Sequence, residues 1–429
     1  MPQVNGSTYQ DVLICSIGVV LFQCALRSSS EAQAATIQSR TTVHSVAIST
    51  ISVEQFGAGP YATMLLADLG AEVIKVENAA IGGDPSRKTG PFMLGQNDSE
   101  YFQAFNINKK SVALDLRSDE GKAALVRLVS GADALVNNLR GDLPAKMGLD
   151  YETLSSVNPA IVCVHLSAYG RDNERASWPG YDYLMQAESG LMHLTGEPDG
   201  PPSRIGAPSI IDQTSGLTAA VGLLSGIIQA RATGKGCDVD TCLLDVALHQ
   251  LGYVATWYLN EGHVSTRQRR SAHYSVAPVQ TFPSSDGWIF IMCMTDKFWA
   301  ELTNAIGRPE LVSDPRFETQ ASRQANRDAL TDIIDAELSQ KPTEHWLAKL
   351  NGVLPIAPVL DLAQALENPF LRSTGMVRDT PHPAKPDMRT LANPIKINGK
   401  RLQQTVCSQL GADNAEYGIN PMPSKRVVS

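Results

Sequence analysis

Two periods of apolar residues alternate along most of this chain. From Val46 onward, short runs rich in β-branched residues are followed by stretches with apolar positions three or four apart, which is the order that parallel βαβ units require. Val46 to Val53 and Val73 to Glu77 predict strands. Between them Pro60 opens a predicted helix with Tyr61, Leu65 and Leu69 on one face, and Gly70 is placed to end it. Ser111 to Leu116, Ala134 to Val136 and Ile161 to Leu166 predict further strands, with a helix over Asp119 to Val129. A long helix is predicted from Gln213 to Arg231, with Leu217, Val221, Leu224 and Ile228 as its apolar face and Gly234-Lys235-Gly236 as its end.

The texture changes near residue 265. Val279 to Phe282, a turn at Ser284 to Gly287, and Trp288 to Met294 predict an antiparallel hairpin, followed by helices over Phe298 to Ile306 and Arg327 to Leu338. After Pro355 the pieces are strand-like and loop-like again. The predicted organisation is α/β: a parallel-sheet large domain over 41–240, a linker over 241–264, a smaller α+β domain over 265–350, and a return segment, 351–429, that completes the large domain. A chain of 429 residues is long enough for two such cores.

Residues 1–40 fall outside this pattern. Val12 to Leu26 is an uncharged run, short for a bilayer span and closer to a signal-peptide core. No Lys or Arg precedes it and Asp11 abuts it, so a disordered extension or a misassigned start is the preferred reading. The formal net charge of −8 argues against nucleic-acid and anionic-membrane partners. Seven scattered cysteines without a CxxC pair fit reduced thiols in the cytoplasm, or in a mitochondrion for a eukaryotic source. The histidines show no metal-ligand spacing, so no metal is expected.

Three local features could carry chemistry. Gly57-Ala58-Gly59-Pro60-Tyr61-Ala62 fits the dinucleotide pattern GxGxxA, with Glu77 ending the next strand. Glu54 beside the turn and the missing N–H of Pro60 both count against a phosphate there; a tight turn alone would also explain the glycines. Cations gather at Lys109, Lys110 and Arg117, and again at Arg140 and Lys146, readable as a solvated face or as a phosphate site. Asp212 stands where the long helix starts. It can serve as an N-cap and, ionised and oriented there, as a nucleophile.

Several of these pieces occur together in one known family. Phe56 to Pro60, Leu66 to Glu77, Asn108-Lys109-Lys110-Ser111, Leu114 to Leu116, Asn138 with Met147-Gly148, Pro179-Gly180-Tyr181-Asp182, Gly200-Pro201-Pro202 and Thr233 to Gly236 resemble, in this order, the family III CoA transferases. The resemblance runs from about residue 46 to the end. It implies a Rossmann-like CoA-binding domain with a smaller domain, in an interlocked homodimer. It implies that Asp212 is the nucleophile, and that Gly57, Ala58, Asn78, Leu114, Arg117, Asn138, Leu139, Lys146 and Tyr181 contact CoA. No permanently bound cofactor is implied; a CoA thioester is the substrate, with succinyl-CoA or a similar thioester the expected donor. A carboxylic acid, expected to be a dicarboxylate, accepts the CoA, and a dicarboxylate such as succinate is the expected partner. Asn78 stands where arginine is common in the family. The glycine-rich loop of oxalate-type members is missing around His273 to Pro278, which makes an oxalate or formate acceptor unexpected. Two alternatives are an acyl-CoA epimerase of the same superfamily, which typically carries histidine at the position of Tyr181, and a catalytically silent acyl-CoA-binding protein.

Overall fold

The computed structural model describes residues 48–206 and 208–420. The run Val12 to Leu26 and the extension lie outside them. Six strands, β1 (Ser49–Val53), β2 (Glu72–Glu77), β3 (Lys110–Ala113), β4 (Ala134–Asn137), β5 (Val162–Ser167) and β6 (Cys237–Cys242), form one parallel sheet in the order β3-β2-β1-β4-β5-β6. The strand order reverses between β1 and β4, so a crevice opens beyond their carboxyl ends. β4 and β5 are buried along their whole length, as strands covered on both faces must be.

Among the helices are α1 (Ala58–Ala67), α2 (Glu100–Asn106), α3 (Asp119–Ser130), α4 (Asp182–Glu188), α5 (Ile210–Thr233) and α6 (Gly252–Glu261), then α7 (Asp296–Ala305), α8 (Arg327–Leu338) and α9 (Thr343–Leu350). α1 and α5 share one apolar cluster with Val73, Ala134, Val136, Val162 and Val164 on one face of the sheet. α3 packs on the other face with Ile51, Ile74, Leu135 and Cys163. Alternate strand residues thus feed two cores. The open edge of β3 is covered by the C-terminal segment: the Asp413 carboxylate accepts the Ser111 N–H at 2.7 Å and Asn414 Oδ1 accepts that of Ala113 at 2.8 Å.

A third cluster lies around β7 (Val279–Pro283), β8 (Trp288–Met292) and β9 (Ile356–Pro358), an antiparallel trio packed by α7, α8 and α9 through Phe282, Trp299, Ile334 and Trp346. The predicted hairpin and both helices are present there within a few residues.

Two local expectations are corrected. α1 begins at Ala58 rather than Pro60 and stops at Ala67, so Leu69 lies past it, and the helix is buried nearly all round. In α5 the predicted apolar face points outward: Leu217, Val221 and Ile228 are 51%, 58% and 70% exposed, and Leu224 is half-buried. The inward face is Ser215, Gly216, Ala219, Ala220, Leu223, Gly226, Ile227 and Ala230. Small residues win because the backbones approach closely. A Cβ on Gly216 would lie 2.6 Å from the Ala58 carbonyl oxygen, and one on Gly226 would lie 2.7 Å from Val162 Cγ1. Among the described residues no helix is long and apolar enough to cross a membrane.

Gly216→Val should therefore cost about 1–3 kcal/mol by forcing α1 and α5 apart. The exposed change Thr218→Val on the same helix should stay within about 0.5 kcal/mol. Urea unfolding midpoints of the two variants test the difference.

Candidate active site

The loop from β1 to α1 is built under constraint. Phe56 has φ of 60°, a left-handed conformation that a bulky side chain rarely adopts. Its N–H donates to Asp84 Oδ1 at 3.2 Å. Next to it Asn138 clamps Gln55 from both sides, accepting its N–H at 2.9 Å and donating to its carbonyl at 2.7 Å.

Under this loop lies a buried charge network. Lys75 Nζ sits 2.9 Å from Asp84 Oδ2 and donates to the Glu54 carbonyl at 3.0 Å. Lys109 Nζ reaches Glu54 Oε1 and the Pro60 carbonyl, each at 2.8 Å. Arg87 holds both oxygens of Glu77, at 2.8 and 2.7 Å, and stacks 3.8 Å over the Phe102 ring. Three carboxylates meet three cations out of contact with water. Burial opposes ionisation of Glu77 and Asp84, but Arg87 for the one and Lys75 for both overcome it and hold these carboxyls below their usual range. Lys109 is pushed down to about 8, chiefly by burial, with Glu54 offsetting only part.

This network revises two readings of the sequence. Glu77 is committed to Arg87, so it cannot serve the ribose of a dinucleotide as the GxGxxA reading requires. The cations do not form one phosphate-binding patch either: Lys109 is buried on Glu54, Lys110 bridges Glu72 and Glu416, and Arg140 and Lys146 both face Asp142.

Asp212 occupies the first turn of α5, with its carboxylate directly against Gly57. A Cβ there would stand 2.6 Å from Asp212 Oδ2. Asp212 does not cap its helix; the preceding Ser209 has the cap position without a side-chain bond, and Asp182 supplies the acceptor, taking the N–H groups of Ile211 at 2.6 Å and Asp212 at 3.0 Å. Among the described residues no side chain or N–H donates to the Asp212 carboxylate. Burial, then repulsion from Asp182, raises its pKa to about 7.

A cavity of about 300 Å³ opens here, walled by Gln55 to Ala58, Asn138 to Arg140, Trp178 to Tyr181, and Asp212. The structure brings together six of the predicted site residues: Gly57, Ala58, Asn138, Leu139, Tyr181 and Asp212. Tyr181 is exposed and meets Phe56 edge to face, with ring centres 6.4 Å apart. The other four do not line this cavity. Asn78 and Leu114 directly follow β2 and β3 on the same rim of the sheet. Asn78 caps the turn Ala79–Ile81 by accepting from Ala80 at 2.9 Å, and Leu114 is buried. Exposed Arg117 pairs with Asp115 at 3.1 Å and exposed Lys146 with Asp142 at 2.7 Å. The sequence reading gave no role to Gln55, Trp178 or Asp182, although Asp182 closes one of the motifs it quoted. Among the described residues no cluster of His, Cys, Asp or Glu could hold a metal ion.

The family model for CoA-transferase family III matches residues 48–414. The chain is similar to the acetyl-CoA:oxalate CoA-transferase of Acetobacter aceti, 34% identical over 80% of this chain and 86% of that protein. It is similar to the succinyl-CoA:mesaconate CoA-transferase of Haloarcula hispanica, 35% identical over 81% of this chain and 88% of that protein. The crystal structure of a CaiB/BaiF family protein from Brucella suis superposes with a TM-score of 0.76 and 32% identity, covering 88% of this chain and 98% of that one.

The raised pKa of Asp212 has a consequence for stability. A carboxyl whose folded pKa exceeds its unfolded value favours folding fully below the unfolded value near 4, and that contribution is lost as pH rises through about 7. Asp212→Asn should therefore melt at a higher temperature than the unaltered protein at pH 8, with the gap shrinking as the pH is lowered toward 4. Calorimetry across that range measures it.

Proposed function

The chain belongs to CoA-transferase family III, and from that premise we propose that it transfers CoA from an acyl-CoA, succinyl-CoA or a similar thioester, to a carboxylic acid, with Asp212 as the covalent carrier. The observation that carries this reading is the Asp212 carboxylate itself: partly buried, unengaged by any donor among the described residues, and pressed on Gly57 at the mouth of a cavity. Its position at the carboxyl end of the sheet, beside the switch point, is where open α/β folds place ligands.

The chemistry proceeds in two exchanges. Asp212 Oδ attacks the thioester carbonyl and expels the CoA thiolate, leaving an acyl-aspartyl anhydride. The thiolate then attacks the aspartyl carbonyl, releases the donor acid and forms an aspartyl-CoA thioester. An acceptor carboxylate attacks that thioester, giving a second anhydride and thiolate, and the thiolate takes the new acyl group to leave as acyl-CoA. Asp212 returns unchanged. The N–H groups of Gly57, Ala58 and Gly59, at the start of α1, have no protein acceptor among the described residues and suit the developing oxyanions. The CoA contacts assigned to Asn138, Leu139 and Tyr181 belong to the same cavity. Asn78, Leu114, Arg117 and Lys146 would act farther along the molecule.

A succinyl-type donor with a dicarboxylate acceptor fits the relative named as a succinyl-CoA:mesaconate CoA-transferase. One relative acts on oxalate, but the residues from His273 to Pro278 lack the glycine-rich loop expected for that substrate. The epimerase reading loses ground because, among the described residues, no histidine lines the cavity, and Tyr181 stands where epimerases of the superfamily typically carry one. A silent binding protein would have no use for Asp212 at this position. The assembly proposed is an interlocked homodimer, supported by the outward apolar stripe of α5 and by Tyr258 and Leu259 on α6, which are 59% and 79% exposed.

Treating the protein with succinyl-CoA and then hydroxylamine should modify the peptide containing Asp212, and Asp212→Ala should fold yet lose both the adduct and transfer to an added dicarboxylate. Undiminished transfer by the alanine variant would overturn the covalent route; deuterium uptake at the α carbon of a 2-methylacyl-CoA without acceptor would favour epimerisation.

For the assembly, light scattering at dilute concentration should give about twice the 46.2-kDa chain mass. Val221→Asp with Ile228→Asp should reduce it. A fully active monomer would remove the interlocked dimer.

A further inference from the structure

Asp182 is buried, and no cation pairs with it among the described residues. A carboxylate so placed is costly unless N–H groups satisfy its oxygens. Here they do. Oδ2 accepts from Ile211 and Asp212 at 2.6 and 3.0 Å, and Oδ1 accepts from Gln186 Nε2 at 2.6 Å. Gln186, also buried, takes the Ile205 N–H on its Oε1 at 2.8 Å. One chain of hydrogen bonds therefore links α4, the segment leading into α5 and the two first-turn N–H groups that have no partner within the helix.

We infer that Asp182 is the positioning residue of this active site: its carboxylate seats the turn of α5 that carries Asp212, and its negative charge lies one hydrogen bond from the backbone N–H of the nucleophile itself. The inference rests on the reading of Asp212 as the covalent carrier and adds a reason for an aspartate, where an asparagine would also accept hydrogen bonds. Acylation converts the Asp212 carboxylate into a neutral ester-like group. The repulsion between the two carboxylates disappears at that step, so Asp182 favours the covalent intermediate over the free enzyme. The other titratable groups near Asp212 leave this interaction in place: the Tyr101 phenol on α2 is raised by burial and by Asp212, Tyr181 stands on the cavity wall, and Arg140 on that wall lies 3.5 Å from Asp142.

Two variants separate the roles. Asp182→Ala removes both the acceptor and the charge. Asp182→Asn turns an amide toward Gln186, so it is combined with Gln186→Glu, which gives that amide an acceptor and moves the charge one link farther from Asp212. In the full-length protein, amide exchange at Ile211 and Asp212 should speed up roughly five- to tenfold in Asp182→Ala, as for loss of a helix cap, and single-turnover transfer should fall on the order of 100-fold through misplacement of the nucleophile. In the double variant exchange should remain slow. The stabilisation that Asp212→Asn gives at pH 8 should be smaller in that background, and the pH by which it levels off should be lower than in the unaltered protein. Unaltered exchange in a folded Asp182→Ala, or an unaltered levelling-off pH in the double variant, would overturn the inference; if the alanine variant does not fold, the double variant decides alone. Neither amide exchange nor the pH dependence of stability needs turnover, so a protein that never forms an adduct on Asp212 would refute the covalent carrier while still scoring Asp182.

Discussion

The contact between α1 and α5 fixes everything near Asp212. It is the most extensive helix pair in the described chain, and it is made by Ala58, Ala62, Gly216, Ala219 and Ala220 rather than by large side chains. Close approach follows from that choice of residues, since a side chain on Gly216 would collide with the backbone of α1. The same closeness brings Asp212 onto Gly57. The candidate site is thus a by-product of two helices packed nearly backbone to backbone, and the start of α1 and the first turn of α5 meet because the rest of the helices do.

The charge network beneath the β1–α1 loop does a complementary task. Apolar packing is non-directional and cannot impose a left-handed φ on Phe56. Directed bonds can. Asp84 holds the Phe56 N–H on one side while Lys75 pulls the Glu54 carbonyl on the other. Replacing one member would leave a buried charge uncompensated, whereas the complete set is mutually satisfied. This arrangement explains why so many ionisable groups lie under a loop whose visible surface carries none of them.

Much of the sheet was legible because its strands are β-branched runs between amphipathic helices, and periodicity reports such elements directly. The face of α5 was not, because the apolar period follows the larger residues, and here those are outside while glycine and alanine are inside. The site was half legible. Gly57, Asn138, Tyr181 and Asp212 were found through motifs and do converge; the part played by Asp182 was not, since a cap supplied from 29 residues earlier in the chain leaves no local pattern. Cationic residues misled for a related reason. Composition shows that Lys109 is charged but not that Glu54 has already claimed it.

The covering of β3 by Asp413 and Asn414 has a meaning for biosynthesis. Its partners are some 300 residues apart, and the Ser408 carbonyl also receives the Arg87 guanidinium at 3.1 Å. While the ribosome is still making the middle of the polypeptide, β1 to β6 can already exist as a nascent sheet, yet one border of it has bare peptide groups and Arg87 lacks one of its acceptors. Long-range closure of this kind is slow, and unprotected borders invite pairing with other nascent chains. Until the segment around residues 405–414 emerges, the border of the sheet formed first stays open to the wrong partners.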